Sequence, residues 1–106
     1  MMDSTLVFLT EERIAGQARL TAAEIAVFAS LCGDCNPFHH DMTYARTTRF
    51  GGIIASGAQL NALMPGLLAT HLSQSHAALG LEFSFRFLKA IKAEERIEME
   101  WEILAT

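Results

Sequence analysis

The stretch GAQLNALMPGLLATHLSQS, residues 57–75, has the apolar spacing of one long and mostly buried helix. Its large apolar side chains recur every three or four residues, at Leu60, Leu63, Met64, Leu67 and Leu68. Pro65 lies within the pattern and is expected to kink the helix, because proline cannot donate a backbone hydrogen bond. A helix this apolar must be covered, so the rest of the chain is expected to supply a surface that packs around it.

Two segments after this helix alternate apolar and polar residues, which predicts amphipathic strands. In LGLEFSFRFL, residues 79–88, one face carries Leu79, Leu81, Phe83, Phe85 and Phe87. In RIEMEWEIL, residues 96–104, one face carries Ile97, Met99, Trp101 and Ile103. The intervening KAIKAEE predicts a turn, and therefore an antiparallel pair with one side in water. A sheet with one apolar face around one helix is an α+β arrangement.

The N-terminal half adds a short strand and two shorter helices. AGQARL, residues 15–20, predicts an edge strand. Thr21 and Glu24 have the spacing of a capping box, so a helix is expected to begin there. Its apolar stripe consists of Ile25, Phe28, Ala29 and Leu31, and Gly33 and Asn36-Pro37 should end it. Asp41 is the expected N-cap of a helix over about residues 42–48.

Length and composition predict a single domain over residues 1–106. Hydrophobic residues make up 51% and charged residues only 19%, so apolar surface is expected to be covered by a ligand or partner, most simply in a homo-oligomer. The formal net charge is -4 and the basic residues are scattered, which argues against nucleic acid and anionic membranes as partners. The sequence shows neither a signal segment nor a membrane-spanning run, and its two cysteines are expected to be reduced; these features favour a cytoplasmic protein.

The loop LCGDCNPFHHD, residues 31–41, allows four interpretations, of which zinc and redox chemistry are the weakest. Cys32 and Cys35 form a C-x2-C pair, but the chain offers no second Cys/His pair to complete a structural zinc site. The pair also follows a helix C-terminus, where the helix dipole disfavours a thiolate. No metal is therefore expected.

The other two interpretations are structural capping and acid/base chemistry. Asn36 and Asp41 can serve as turn and cap residues, and the cysteines as small half-buried fillers. Asp34 and His39, five residues apart across a proline turn, can point into one pocket and hold one water. Addition or removal of water across a C=C bond needs such a pair, although spacing alone is a weak signal.

GDCNPFHHD, residues 33–41, resembles the G-D-x-N-P-[aliphatic]-H-x-D signature of MaoC-like dehydratases and R-specific enoyl-CoA hydratases. RFGGIIASGAQL, residues 49–60, resembles the segment that follows it, and the likeness extends over about residues 15–104. It implies a hot-dog fold, in which an antiparallel sheet wraps around a long central helix, usually in a homodimer. It also implies a hydro-lyase of fatty acid metabolism that acts on enoyl or (R)-3-hydroxyacyl thioesters of coenzyme A or acyl carrier protein, without cofactors.

The resemblance also implies site roles. Asp34 and His39 would be the catalytic pair, Asn36 would support their geometry, and the Gly57 N–H would bind the thioester oxygen in the substrate-binding site. Ser56 stands where many members have His, which would change substrate choice. His40 occupies a variable position of the signature and is expected to be exposed. His40 and the two cysteines are expected to take no part in the chemistry. Phe38 replaces a smaller aliphatic residue and would narrow the pocket.

Length is the largest departure from the family pattern. Relatives usually continue with further strands, so the sheet is expected to lack its last strands unless a partner chain completes it. Two alternatives to the hydratase therefore stay open. One is a non-catalytic thioester-binding or dimer-partner module, and the other is an acyl-CoA thioesterase, since the fold hosts both.

Overall fold

A computed structural model describes residues 11–105, so the ends of the expected domain lie outside the described residues. The elements in chain order are strand β1 (Arg13–Arg19), helices α1 (Ala22–Leu31), α2 (Met42–Thr47) and α3 (Gly57–Ser73), and strand β2 (Arg96–Glu102). A short 3-10 turn, Pro37–His39, lies between α1 and α2. The predicted order of elements is thus present, with one exception after α3.

The sheet consists of β1 and β2, paired antiparallel with Gly16 opposite Met99. Burial alternates along both strands, as the sequence pattern predicts, and the more buried face packs on α3. A methyl group at Gly16 would lie 2.8 Å from a Leu67 methyl carbon of α3, so the small residue permits close packing. The indole N–H of Trp101 donates to the Met64 carbonyl of α3 at 2.8 Å. These contacts fix the sheet against the central helix.

Helix α1 begins as predicted. The Thr21 hydroxyl accepts from the Glu24 N–H at 3.1 Å, and the Glu24 carboxylate accepts from the Thr21 N–H at 3.0 Å. Ile25 and Ala29 of the predicted stripe are fully buried in the core. Leu31 departs from the prediction and is 82% exposed, because it ends the helix where the chain turns away from the core.

Helix α3 is one helix of 17 residues that continues through Pro65. It begins at Gly57, as expected, and the Ser56 hydroxyl caps it by accepting from the Gln59 N–H at 3.2 Å. Within residues 11–105 no helix is both long enough and apolar enough to cross a membrane.

The prediction of a strand over residues 79–88 is wrong for this structure. The segment contains no strand, and its backbone forms no ladder with any described residue. Alternation shows that one face can be buried, whereas a strand also needs a neighbour that accepts and donates its backbone hydrogen bonds. Its apolar side chains are correspondingly exposed: Leu79 93%, Leu81 99%, Phe83 46%, Phe85 37%, Phe87 56% and Leu88 87%.

Some of these exposed rings still contact one another. Phe83 stacks on Phe85 with ring centroids 6.5 Å apart, and it meets Trp101 in an edge-to-face arrangement with centroids 6.4 Å apart. The segment therefore lies beside β2 through side chains, without backbone pairing.

Candidate active site

The signature loop, residues 33–41, leaves α1 at a glycine. Gly33 has a φ of +73°, a left-handed conformation that glycine adopts without a side-chain clash. The next N–H, that of Asp34, donates to the Ala29 carbonyl at 2.8 Å. Asp34 is thereby fixed to the last turn of the helix rather than placed in a free loop.

The 3-10 turn Pro37–His39 sets the path between the acid and the histidine. Asn36 caps the turn, with its side-chain oxygen accepting from the Phe38 N–H at 3.2 Å. Pro37 follows at the first position of the turn, where a missing N–H costs nothing. The Asn36 N–H donates to Asp34 Oδ1 at 3.0 Å. Asn36 thus contacts both the turn and the Asp34 carboxylate, and its supporting role in the pair stays a prediction.

The turn brings Asp34 and His39 together. Asp34 Oδ2 lies 3.4 Å from His39 Nε2. The histidine side chain is only 8% exposed, whereas the Asp34 side chain is 36% exposed. The His39 ring is therefore buried in the protein, while the Asp34 carboxylate is partly open to solvent.

A main-chain contact on the opposite side of the His39 ring defines the tautomer of its neutral form. Nδ1 lies 2.7 Å from the Ile54 carbonyl oxygen. Because a carbonyl only accepts, Nδ1 must carry a hydrogen, so the neutral ring has a free electron pair on Nε2. In that state Nε2 and the Asp34 carboxylate are two acceptors facing the same space. A water molecule, with two hydrogens to donate, matches this arrangement.

A short extended segment, residues 53–55, connects the signature loop to the start of α3. On one side the Ile54 N–H donates to the Phe38 carbonyl at 3.2 Å, next to the contact with His39. On the other side Ala55 N–H donates to the Ile91 carbonyl at 2.8 Å. Gly57 follows two residues later as the first residue of α3. The loop that carries Asp34 and His39 is therefore hydrogen-bonded to the segment that leads directly to Gly57, the expected oxyanion donor.

Ser56 and Gly57 have visible packing and capping roles. Ser56 is 4% exposed, and its hydroxyl caps α3. Gly57 lies against the Phe87 ring, since a methyl group on it would be 2.8 Å from the outermost ring carbon. Its N–H belongs to the first turn of the helix, where backbone donors have no acceptor within the helix. This geometry leaves the proposed donor role of Gly57 a prediction.

The cysteines take no part in the pair. Both are exposed, which corrects the expectation that they are half-buried fillers. The reason is local: Cys32 caps the C-terminus of α1 and Cys35 lies in the loop beyond it, outside the core. Within the described part of the chain no group of three His, Cys, Asp or Glu residues could hold a metal ion.

The Phe38 ring packs into an aromatic cluster next to the pair. It meets Tyr44 at 5.4 Å and Phe50 at 5.7 Å between ring centroids, both edge to face. This packing holds the bulky residue against neighbouring side chains of its own half of the domain. Narrowing of a substrate pocket by Phe38 stays a prediction.

Sequence reasoning missed two contacts of this site. One is the Ile54 carbonyl that orients His39, and the other is a bond from His40 to the Asp34 carbonyl at 2.7 Å. Both acceptors are main-chain oxygens, which every residue has, so no residue type in the sequence indicates them.

Residues 9–105 match the family described as MaoC like domain. The chain belongs to this family of MaoC-like dehydratases and hydratases and has its hot-dog fold. It is 39% identical over 83 residues to the (R)-specific enoyl-CoA hydratase of Aeromonas caviae, an alignment that covers 77% of this chain and 62% of the relative. The chain thus spans less than two thirds of the length of that curated relative.

Two solved structures show the same likeness. The (R)-hydratase from A. caviae involved in PHA biosynthesis superposes with a TM-score of 0.86 at 31% identity, over 95% of this chain and 76% of that one. The R-hydratase PhaJ1 from Pseudomonas aeruginosa in the unliganded form gives a TM-score of 0.84 at 28% identity, over 92% and 63%. The expectation of a hot-dog fold is therefore confirmed.

Proposed function

We propose that the protein is a hydratase or dehydratase that adds or removes water across the 2,3 double bond of enoyl or (R)-3-hydroxyacyl thioesters. The observation that carries this proposal is the convergence of Asp34 Oδ2 and His39 Nε2 to 3.4 Å, with the histidine oriented from behind by Ile54. Membership of the MaoC-like family and the likeness to an (R)-specific enoyl-CoA hydratase support it. Coenzyme A or an acyl carrier protein would carry the acyl group, and the reaction needs no cofactor.

In the hydration direction, one water would donate its two hydrogens to the two acceptors. As the water oxygen bonds to the β-carbon, the pair takes one of its protons, with the neutral Nε2 of His39 as the available base. The pair then returns a proton to the α-carbon, so the product gains one complete water. Dehydration is the same sequence in reverse.

The addition places enolate charge on the thioester oxygen before the α-carbon is protonated. A backbone donor at the start of a helix stabilises such charge, since its N–H is free and the helix dipole is positive there. Gly57 is the proposed donor. Ser56, next to it, would act in substrate binding through the position of this turn.

The test is hydration of crotonyl-CoA, followed as loss of the enoyl thioester absorbance. General acid and base groups typically contribute 10²–10⁴-fold, so Asp34→Asn and His39→Ala are each expected to lower turnover by about that factor. Glu82→Gln and His76→Ala change a carboxylate and an imidazole away from the loop and should leave turnover intact. Equal turnover of wild type and both site variants, with all proteins folded by circular dichroism, would refute the proposal.

A non-catalytic thioester-binding or dimer-partner module is the second candidate. It is favoured by the segment of residues 79–88, which pairs with no strand among residues 11–105 and exposes its apolar side chains. Such a module would bind an acyl-CoA without turnover. The third candidate is an acyl-CoA thioesterase. It would release free coenzyme A from a saturated acyl-CoA, which a thiol reagent detects, whereas a hydratase would not.

A further inference from the structure

His40 is an exposed residue whose side chain nevertheless contacts the proposed catalytic acid from behind. Its Nε2 lies 2.7 Å from the main-chain carbonyl oxygen of Asp34. Because that oxygen only accepts, Nε2 must carry the hydrogen and donate it. The two adjacent histidines therefore lie at opposite ends of Asp34: His39 Nε2 faces its carboxylate, and His40 donates to its carbonyl oxygen.

The other polar groups of Asp34 are also engaged. Its N–H donates to the Ala29 carbonyl at 2.8 Å, and its Oδ1 accepts from the Asn36 N–H at 3.0 Å. Oδ2 faces His39. The remaining polar group of Asp34 is its main-chain carbonyl. Among the described residues, His40 is the side chain that donates a hydrogen bond to it.

We propose that His40 is a positioning residue that fixes the peptide plane between Asp34 and Cys35, and through it the direction of the Asp34 carboxylate. The inference rests on the proposed function for its effect on turnover. The plane matters because its rotation changes the path of the chain to Asn36, whose N–H holds Oδ1. If the peptide plane between Asp34 and Cys35 could rotate, the Asp34 carboxylate could turn away from His39 although both residues of the pair are still present.

The size of the effect follows from the kind of bond. A neutral hydrogen bond contributes modestly in water-exposed positions, at the level of about two- to ten-fold in an equilibrium or rate. His40→Ala is therefore expected to lower kcat by about two- to ten-fold with KM unchanged, because the carboxylate acts on the reacting water rather than on substrate affinity. His40→Gln, whose side-chain amide can donate from a similar distance, should recover most of the loss.

The experiment compares wild type, His40→Ala, His40→Gln and the control His76→Ala, whose ring bonds to the neighbouring Ser75 hydroxyl. Crotonyl-CoA kinetics give kcat and KM. Hydrogen exchange of the Asn36 amide, measured by NMR, reports the loop independently of turnover. We expect faster exchange in His40→Ala, near-normal exchange in His40→Gln, and no change in His76→Ala.

Unchanged Asn36 exchange in His40→Ala would overturn the positioning role, as would an unchanged kcat in an active wild type. A fall in kcat that glutamine fails to recover, together with normal exchange, would also count against it. If the wild type has no hydratase activity, the proposed function fails, and the exchange measurement still decides whether His40 holds Asp34.

Discussion

Adding one methyl group at Gly57 tests the packing at the start of α3. The methyl carbon of Gly57→Ala would lie 2.8, 3.0 and 3.2 Å from three carbons of the Phe87 ring. The shortest of these separations requires a shift, and overpacking of this kind typically costs about 1–3 kcal/mol. Phe87 is 56% exposed, so its ring can move outward and the lower half of that range is expected.

Gly66→Ala is the matched control within the same helix. Apart from its chain neighbours and the nearby backbone of the helix itself, a methyl group there meets no described atom within 4 Å, so only the helix propensity changes, which favours alanine by up to about 1 kcal/mol. Urea unfolding followed by Trp101 fluorescence should therefore show Gly66→Ala stabilised and Gly57→Ala destabilised.

A double-mutant cycle with Phe87→Ala isolates the contact. Removing the ring removes the clash, so Gly57→Ala should become neutral or stabilising in that background, with a coupling energy of about 1 kcal/mol or more. The reasoning is refuted if Gly57→Ala stabilises the protein as Gly66→Ala does, or if the two changes at positions 57 and 87 are additive.

Three further predictions concern the capping box, the sheet and the assembly. Thr21→Ala should lower the free energy of unfolding by about 1 kcal/mol in urea. Hydrogen bonds from the Thr21 backbone N–H and, second, from its hydroxyl lower the pKa of Glu24. Their stabilisation is present above the ordinary carboxyl pKa and is lost as pH falls through the lowered value. Because Thr21→Ala keeps the backbone N–H, the variant should lose only part of this acid-side dependence in a pH series of thermal melts. Trp101→Phe keeps an aromatic ring but removes the donor to Met64, and should cost about 0.5–1.5 kcal/mol in urea unfolding followed by circular dichroism, whereas equal midpoints of wild type and variant would contradict the contact. The exposed apolar segment predicts a homo-oligomer, so light scattering after size exclusion should give at least twice the chain mass, and a monomer at micromolar concentration would contradict it.

The features predicted correctly from the sequence are those that depend on residues close together along the chain. The Thr21–Glu24 capping box, the Asp41 cap and the alternation of β2 each depend on residues a few positions apart, and each is present. Residues 79–88 have an equally regular pattern but no strand, because pairing depends on a distant backbone that the pattern does not contain.

The contacts of the candidate site can also be separated into those between residues close in sequence, which were predictable, and those between distant residues, which were not. The approach of Asp34 to His39 follows from a five-residue spacing across a capped proline turn, and the resemblance pointed to both residues. The orientation of His39 by Ile54, fifteen residues later, depends on how two loops meet. The bond from His40 was missed because its acceptor is also a main-chain oxygen, which no residue type in the sequence indicates.

The segment of residues 53–55 has a consequence for protein engineering. It hydrogen-bonds to the signature loop on one side and to residues 91–93 on the other, with Ala93 N–H donating to the Ile53 carbonyl at 2.9 Å. A graft of residues 33–41 into another scaffold would carry both members of the pair but leave behind the carbonyl that selects the tautomer of His39. The smallest transplantable unit is therefore discontinuous: the loop together with residues 53–57 and a backbone equivalent to residues 91–93 that holds them in place.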